Sequence, residues 1–104
     1  MKTLIALFIF CLTVLAVDVT LIWNANDPLD QVEGYRLYQS TNIAGPFNYI
    51  GSANTTNFVV TGLSPGVYFW YVTATNYWGE SLPSNKASTP PVAGKVMQLK
   101  VNRP

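Results

Sequence analysis

Short runs of alternating apolar and polar residues recur along this chain, each ended by a cluster of Gly, Pro, Asn or Ser. Val19 to Trp23 puts Val19, Leu21 and Trp23 on one side and Thr20 and Ile22 on the other, the period-two pattern of a strand with one buried face. Gly34 to Gln39 repeats it, with Tyr35 and Leu37 inward and Arg36 and Tyr38 outward. Shorter strands are predicted at Phe47 to Gly51 and at Phe58 to Thr61, the latter with Phe58 and Val60 inward. The longest runs from Val67 to Thr75, with Tyr68, Trp70, Val72 and Ala74 on one face and Phe69 and Tyr71 on the other. Glu80 to Lys86 closes the series as an edge strand, where Pro83 is tolerated. Asn24 to Glu33 and Asn42 to Pro46 read as loop and turn. No helical period and no internal repeat interrupts this order, so the expected fold is an all-β antiparallel sandwich.

The termini change the picture. Leu4 to Leu15 is a nearly unbroken apolar run behind Lys2, and Val14-Leu15-Ala16 offers a cleavage site, so residues 1–16 read as a signal peptide. The run falls short of the about 20 residues of a membrane helix. The expected product is secreted or extracytoplasmic, with no stable membrane span after cleavage. Cleavage removes Lys2 and Cys11, leaving five basic residues (Arg36, Lys86, Lys95, Lys100, Arg103) against five acidic ones (Asp18, Asp27, Asp30, Glu33, Glu80). A formally neutral chain has no basic stripe to neutralise a row of phosphates, so nucleic acid is not an expected partner. Without cysteine the mature chain has no disulfide, and packing alone must hold it.

The landmarks have a familiar order. Trp23 ends an early strand, Gly34-Tyr35-Arg36-Leu37-Tyr38 forms the next, and Gly62-Leu63-Ser64-Pro65-Gly66 precedes an aromatic strand followed by Asn76-Tyr77-Trp78-Gly79-Glu80-Ser81. Over residues 19–89 this resembles a fibronectin type III domain. The resemblance implies that Trp23, Tyr35 and Leu37 are core positions, that Leu63 plugs one end of the sandwich, and that the Tyr68 hydroxyl ties its corner back to backbone. One departure is large: the family's first strand has no counterpart before Val19. Instead, Pro90 to Val101 looks like such a strand at the wrong end of the chain, with Met97, Leu99 and Val101 on one face and Val96, Gln98 and Lys100 on the other. The expected division is therefore 1–16 signal peptide, 17–89 sandwich and 90–104 tail, the tail replacing the missing strand. Three arrangements stay open: the tail completes its own sandwich, completes that of a neighbouring molecule through Val96, Met97, Leu99 and Val101, or hangs loose. Self-completion leads, because a tethered strand has a high effective concentration.

Candidate chemistry is sparse. The chain has no histidine, and the mature chain no thiol. Asp27, Asp30 and Glu33, with Asn24 and Asn26, offer oxygen ligands for calcium, but capping of local backbone is the simpler role, and neither a metal nor a cofactor is expected. A non-enzyme is the expected class. Aromatic residues are the better clue. Tyr38, Phe69 and Tyr71, with Arg36, are predicted on one outward sheet face, where they either brace the sheet or meet a partner. Tyr77 and Trp78 fall at a loop tip, to fold down over the sandwich or to engage a protein or glycan. Asn54-Thr55-Thr56 is a glycosylation sequon for a eukaryotic host. The expected function is a secreted binding or adhesion module for protein or glycan. The alternatives are a structural subunit of an extracellular or virion-surface assembly joined through its C-terminal strand, and an accessory carbohydrate-binding protein.

Overall fold

Alternation becomes strand wherever the inward residues find a facing sheet. The computed structural model describes residues 16–89 and 96–104; the signal-peptide reading and the Pro90 to Gly94 lead-in lie outside the described residues. Eight strands are described: β1 (Val17–Trp23), β2 (Gly34–Ser40), β3 (Asn48–Ala53), β4 (Asn57–Leu63), β5 (Phe69–Asn76), β6 (Gly79–Glu80), β7 (Ala87–Ser88) and β8 (Val96–Leu99). They form a sheet ordered β4-β1-β8 and a larger one ordered β3-β2-β5-β6, with β7 also on β5. The core is the predicted inward set: Leu21, Leu37, Trp70, Val72 and Ala74 are fully enclosed, and Val19, Trp23 and Tyr35 nearly so. The Trp23 and Tyr35 rings meet edge-on at 5.3 Å, joining the two sheets. Leu63 is buried, and the Tyr68 hydroxyl donates to the Ser64 carbonyl at 2.9 Å, as the resemblance implied.

Local differences have local causes. The loop after β1 contains one 3-10 turn, Pro28–Asp30, started by Pro28 and capped by the Asp27 carboxylate, which accepts from the Leu29 amide at 2.8 Å. The strand expected at Glu80 to Lys86 is not continuous. It is two short strands flanking a stretch in which Pro83 has no amide to give the ladder. Serine hydroxyls complete the pairing there: Ser84 Oγ accepts from the Val72 amide and Ser81 Oγ from the Ala74 amide, each at 2.9 Å. The Ser84 and Ser81 amides donate back to the Val72 and Ala74 carbonyls. Between β3 and β4, Gly51 is required by close approach, since a Cβ there would lie 2.8 Å from the Phe58 ring.

The tail strand β8 runs parallel to β1 of its own chain, with Thr20 opposite Val96 and Trp23 opposite Leu99. A first strand joined to β1 by a short loop would run antiparallel. The reversal follows from connectivity, because β7 ends beside Phe69, at the end of the sandwich where β1 begins. Leu99 is 1% exposed, inside the core, and Val101 packs against it, while the side chains of Val96 and Met97 lie outside the described set. Polar contacts fasten the last residues of the chain. Arg103 Nε donates to Asp30 Oδ1 at 2.7 Å, Asn102 Nδ2 donates to the Pro83 carbonyl at 2.7 Å, and Asn26 Nδ2 donates to the Asn102 carbonyl at 3.0 Å.

Truncating a buried leucine to alanine costs about 2–5 kcal/mol when the site belongs to the cooperative unit. Leu99→Ala is therefore expected to lower the urea-unfolding free energy by about 2 kcal/mol or more. A loss below about 0.5 kcal/mol, within the range of ordinary surface substitutions, would mean that the tail is not part of that unit.

Candidate functional site

Seven consecutive residue pairs join β2 to β5, from Gly34 opposite Thr75 to Ser40 opposite Phe69. With Trp70 and Val72 turned inward, this register forces Tyr38 and Tyr71 together on the outer face. On the other side of β2, Tyr38 stands opposite Tyr49, so one row of three tyrosines crosses β3, β2 and β5. The Tyr38 and Tyr71 rings stack at 4.9 Å, and Tyr38 meets Tyr49 edge-on at 5.9 Å. Phe47 extends the row against Tyr71 at 4.8 Å, and Lys86 Nζ sits 5.4 Å from the Phe47 ring centre. Glu80 closes the other flank: its carboxylate accepts from the Tyr38 hydroxyl at 2.6 Å and from Thr73 Oγ1 at 2.5 Å, with Arg36 Nη1 at 3.4 Å. An open groove of about 460 Å3 beside the row is lined by Arg36, Tyr49, Ser52, Asn54 and Thr75, among others.

A second cluster sits on the β5–β6 turn. Tyr77 and Trp78 are 82% and 75% exposed, their rings perpendicular at 5.4 Å. The backbone beneath them is fixed. Asn76 Oδ1 accepts from the amides of Trp78 and Gly79, and Asn76 Nδ2 donates to the Asp30 carbonyl at 2.9 Å. Asp30, its side chain 3% exposed, is in turn engaged by Arg103 and by Asn26 Nδ2. The acidic loop thus uses Asp27 as a cap and Asp30 as an anchor. Among the described residues no group of three His, Cys, Asp or Glu side chains is placed to hold a metal ion.

No protein-family model and no curated protein matches this chain. Solved structures do. A fibronectin type III-like protein from Clostridium thermocellum aligns over 82% of this chain and 86% of its own, with 22% identity and a TM-score of 0.59. The fold is that of a fibronectin type III domain. The fibronectin type III domain of the human KIAA0970 protein aligns over 62% of this chain and 54% of its own, with 19% identity and a TM-score of 0.51. The twitchin kinase region of C. elegans aligns over 59% of this chain at 26% identity and a TM-score of 0.50, this chain spanning 11% of that one.

Within this type III fold, Tyr38, Tyr71 and Arg36 come together on the outer face. Phe69 lies further along β5, opposite Ser40 and Ser88 and outside the stacked row. Tyr77 and Trp78 project from the opposite end of the same strand. Tyr49, Phe47, Thr73 and Glu80 complete the face, and sequence reasoning did not place them there. The β3 register shift between Leu37 and Tyr38 decides where Tyr49 falls, and the reach of Glu80 to Tyr38 spans more than forty residues of chain.

Partial burial draws the Glu80 carboxyl upward, but hydrogen bonds from Thr73 and Tyr38 and the charge of Arg36 outweigh it, so its pKa lies below the ordinary 4.5. Burial first, and Glu80 second, raise the Tyr38 hydroxyl above its usual 10.0. A carboxyl that binds its proton less tightly when folded contributes stability above its unfolded pKa and loses it as pH falls through the lowered folded value. Glu80→Gln is expected to flatten the acid limb of the stability profile and to bring the Tyr38 titration down toward its usual range. Urea unfolding across acid pH and ultraviolet titration of the tyrosines measure both. An unchanged acid limb would leave the network without energetic weight.

Proposed function

We propose that this chain is a secreted, non-enzymatic binding module that captures a protein or glycan partner through aromatic side chains. The observation that supports this most is the tip, where two large rings stand in water on a backbone already fixed by Asn76. Rings exposed in the free protein gain from being covered, and a fixed backbone adds little ordering cost on binding. Trp and Tyr are also the side chains most often dominant at interfaces. The tyrosine row with Arg36 is the second contact area, and the polar groove beside Tyr49 favours a sugar there, stacked on the ring and bonded to its rim.

A second reading makes the chain a structural subunit of an extracellular or virion-surface assembly, coupled by its C-terminal strand. Its support is that β8 supplies a core residue, Leu99, by a strand pairing that another copy is equally able to offer.

Two measurements separate the readings. A Tyr77→Ala/Trp78→Ala variant is expected to melt as the parent does, while losing about 2 kcal/mol or more of affinity, roughly thirtyfold, for the glycan or extracellular protein it captures. Tryptophan fluorescence against soluble polysaccharides and pull-downs from the host's extracellular fraction supply the partner. Unchanged capture would remove the tip from the function. Oligomers that become folded monomers when residues 90–104 are deleted would establish the assembly reading instead.

A further inference from the structure

The aromatic tip and the C-terminal tail meet at one carboxylate. Asp30 ends the 3-10 turn of the loop after β1, and its side chain is 3% exposed. Its Oδ1 accepts from Arg103 Nε at 2.7 Å and its Oδ2 from Asn26 Nδ2 at 3.3 Å. The carbonyl of the same residue accepts from Asn76 Nδ2, and Asn76 Oδ1 in turn holds the Trp78 and Gly79 amides. Asp30 and Asn76 are thus the links between Arg103 and the turn that bears Tyr77 and Trp78. The ion pair is lopsided, because the Arg103 side chain is 77% exposed. Released to water, the guanidinium loses little, whereas the carboxylate it leaves is an enclosed charge with one long hydrogen bond. Gln31, next in the chain, is held at φ 50°, in the left-handed region that a residue other than glycine adopts at a cost. The loop therefore has a reason to turn outward once Arg103 is gone, and a point at which to turn. Beyond that point the Glu33 amide donates to the Thr75 carbonyl at 2.7 Å, which pins the start of β2 and confines the movement to the loop.

We propose that the tail is a latch on the aromatic tip, with Arg103 as its positioning residue. Docked, Arg103 neutralises Asp30 and keeps the Asp30 carbonyl under Asn76, so Tyr77 and Trp78 project from an ordered turn. Undocked, Asp30 turns toward water, Asn76 loses the carbonyl that orients it, and the turn gains freedom. Asn102 gives the latch a second hold. Its Nδ2 donates to the Pro83 carbonyl, which follows the tip in sequence, while its own carbonyl accepts from Asn26 Nδ2 in the loop that precedes β2. The tail therefore grips segments on both sides of the strands that carry the tip. A turn ordered in advance spares a partner the cost of ordering it, so capture is strongest with the tail in place. The tip's part in capture rests on the binding reading, but its dependence on the tail does not.

Backbone amide order parameters of Tyr77, Trp78 and Gly79 in the full chain test this, since they read the turn without needing a partner. The parent is expected near the rigid value of about 0.85, and Arg103→Ala below about 0.6. Lys100→Ala removes a positive charge from the same tail, leaves the Arg103–Asp30 pair in place, and keeps the parent's values. The double variant Arg103→Ala/Asp30→Asn is expected to return toward about 0.85, because a neutral amide at position 30 needs no cation. Loss of tail packing alone would give no such rescue. Amide exchange in the β2–β5 ladder is expected to change little in any variant, which marks the loosening as local. If Arg103→Ala does not fold, Arg103→Lys carries the comparison, with a tip intermediate in order, since it keeps the charge and loses the Nε donor. A tip as ordered in the Arg103 variant as in the parent overturns the proposal. So does a double variant as mobile as Arg103→Ala, or ladder exchange that quickens together with the tip, the result expected if the tail simply holds the whole sandwich.

Discussion

The β2–β5 ladder is the constraint on which the rest of this molecule depends. It is the longest unbroken pairing in the sandwich, and period two makes each of its choices count twice. Turning Leu37, Trp70, Val72 and Ala74 inward supplies the core, and the same register lifts Tyr38, Tyr71 and Arg36 to the outer face. A slip of β5 by one residue would bury Tyr71 and expose Trp70. Trp70 is held further by its indole Nε1–H, which donates to Gln39 Oε1 at 2.7 Å and so satisfies the one polar atom that its burial would leave unpaired.

The end of the sandwich that carries Tyr77 and Trp78 is organised by side chains standing in for secondary structure. Asn76 links the β5–β6 turn to the Asp27–Asp30 loop, and Arg103 and Asn102 bring the chain's last residues to the same place. Buried Asp30 is the common partner, and its position there needs both Asn26 and Arg103, because an enclosed carboxylate without donors would be costly. Three segments distant in sequence therefore share one polar anchor, and the aromatic tip stands on it. The serines at 81 and 84 do comparable work along β5, where Pro83 would otherwise leave the edge unpaired.

Completion of the smaller sheet by the chain's own C-terminal strand has a directional consequence. A strand arriving from β7 enters from the end where β1 starts and must run with it, whereas an N-terminal first strand would run against it. Parallel pairing is slightly weaker per residue. The burial of Leu99 and the polar contacts of Asn102 and Arg103 offset that. The aromatic tip and the outward tyrosine row are then carried by the larger sheet, to which the tail strand does not belong.

The fold and its core were legible in the sequence because both depend on period-two alternation and turn residues, which act locally. Trp23, Tyr35, Leu37, Trp70 and Val72 could be named inward, and Tyr38 and Tyr71 outward, from spacing alone. The neighbours on those faces were not legible. Glu80 beside Tyr38, Tyr49 beside the same ring, and Arg103 on Asp30 depend on register shifts and on contacts between distant segments, which no local pattern encodes. Alternation likewise predicted that Met97, Leu99 and Val101 share a face. Which edge their strand joined, and in which direction, was decided only when the sheets were assembled, because that depends on where the preceding strand ends.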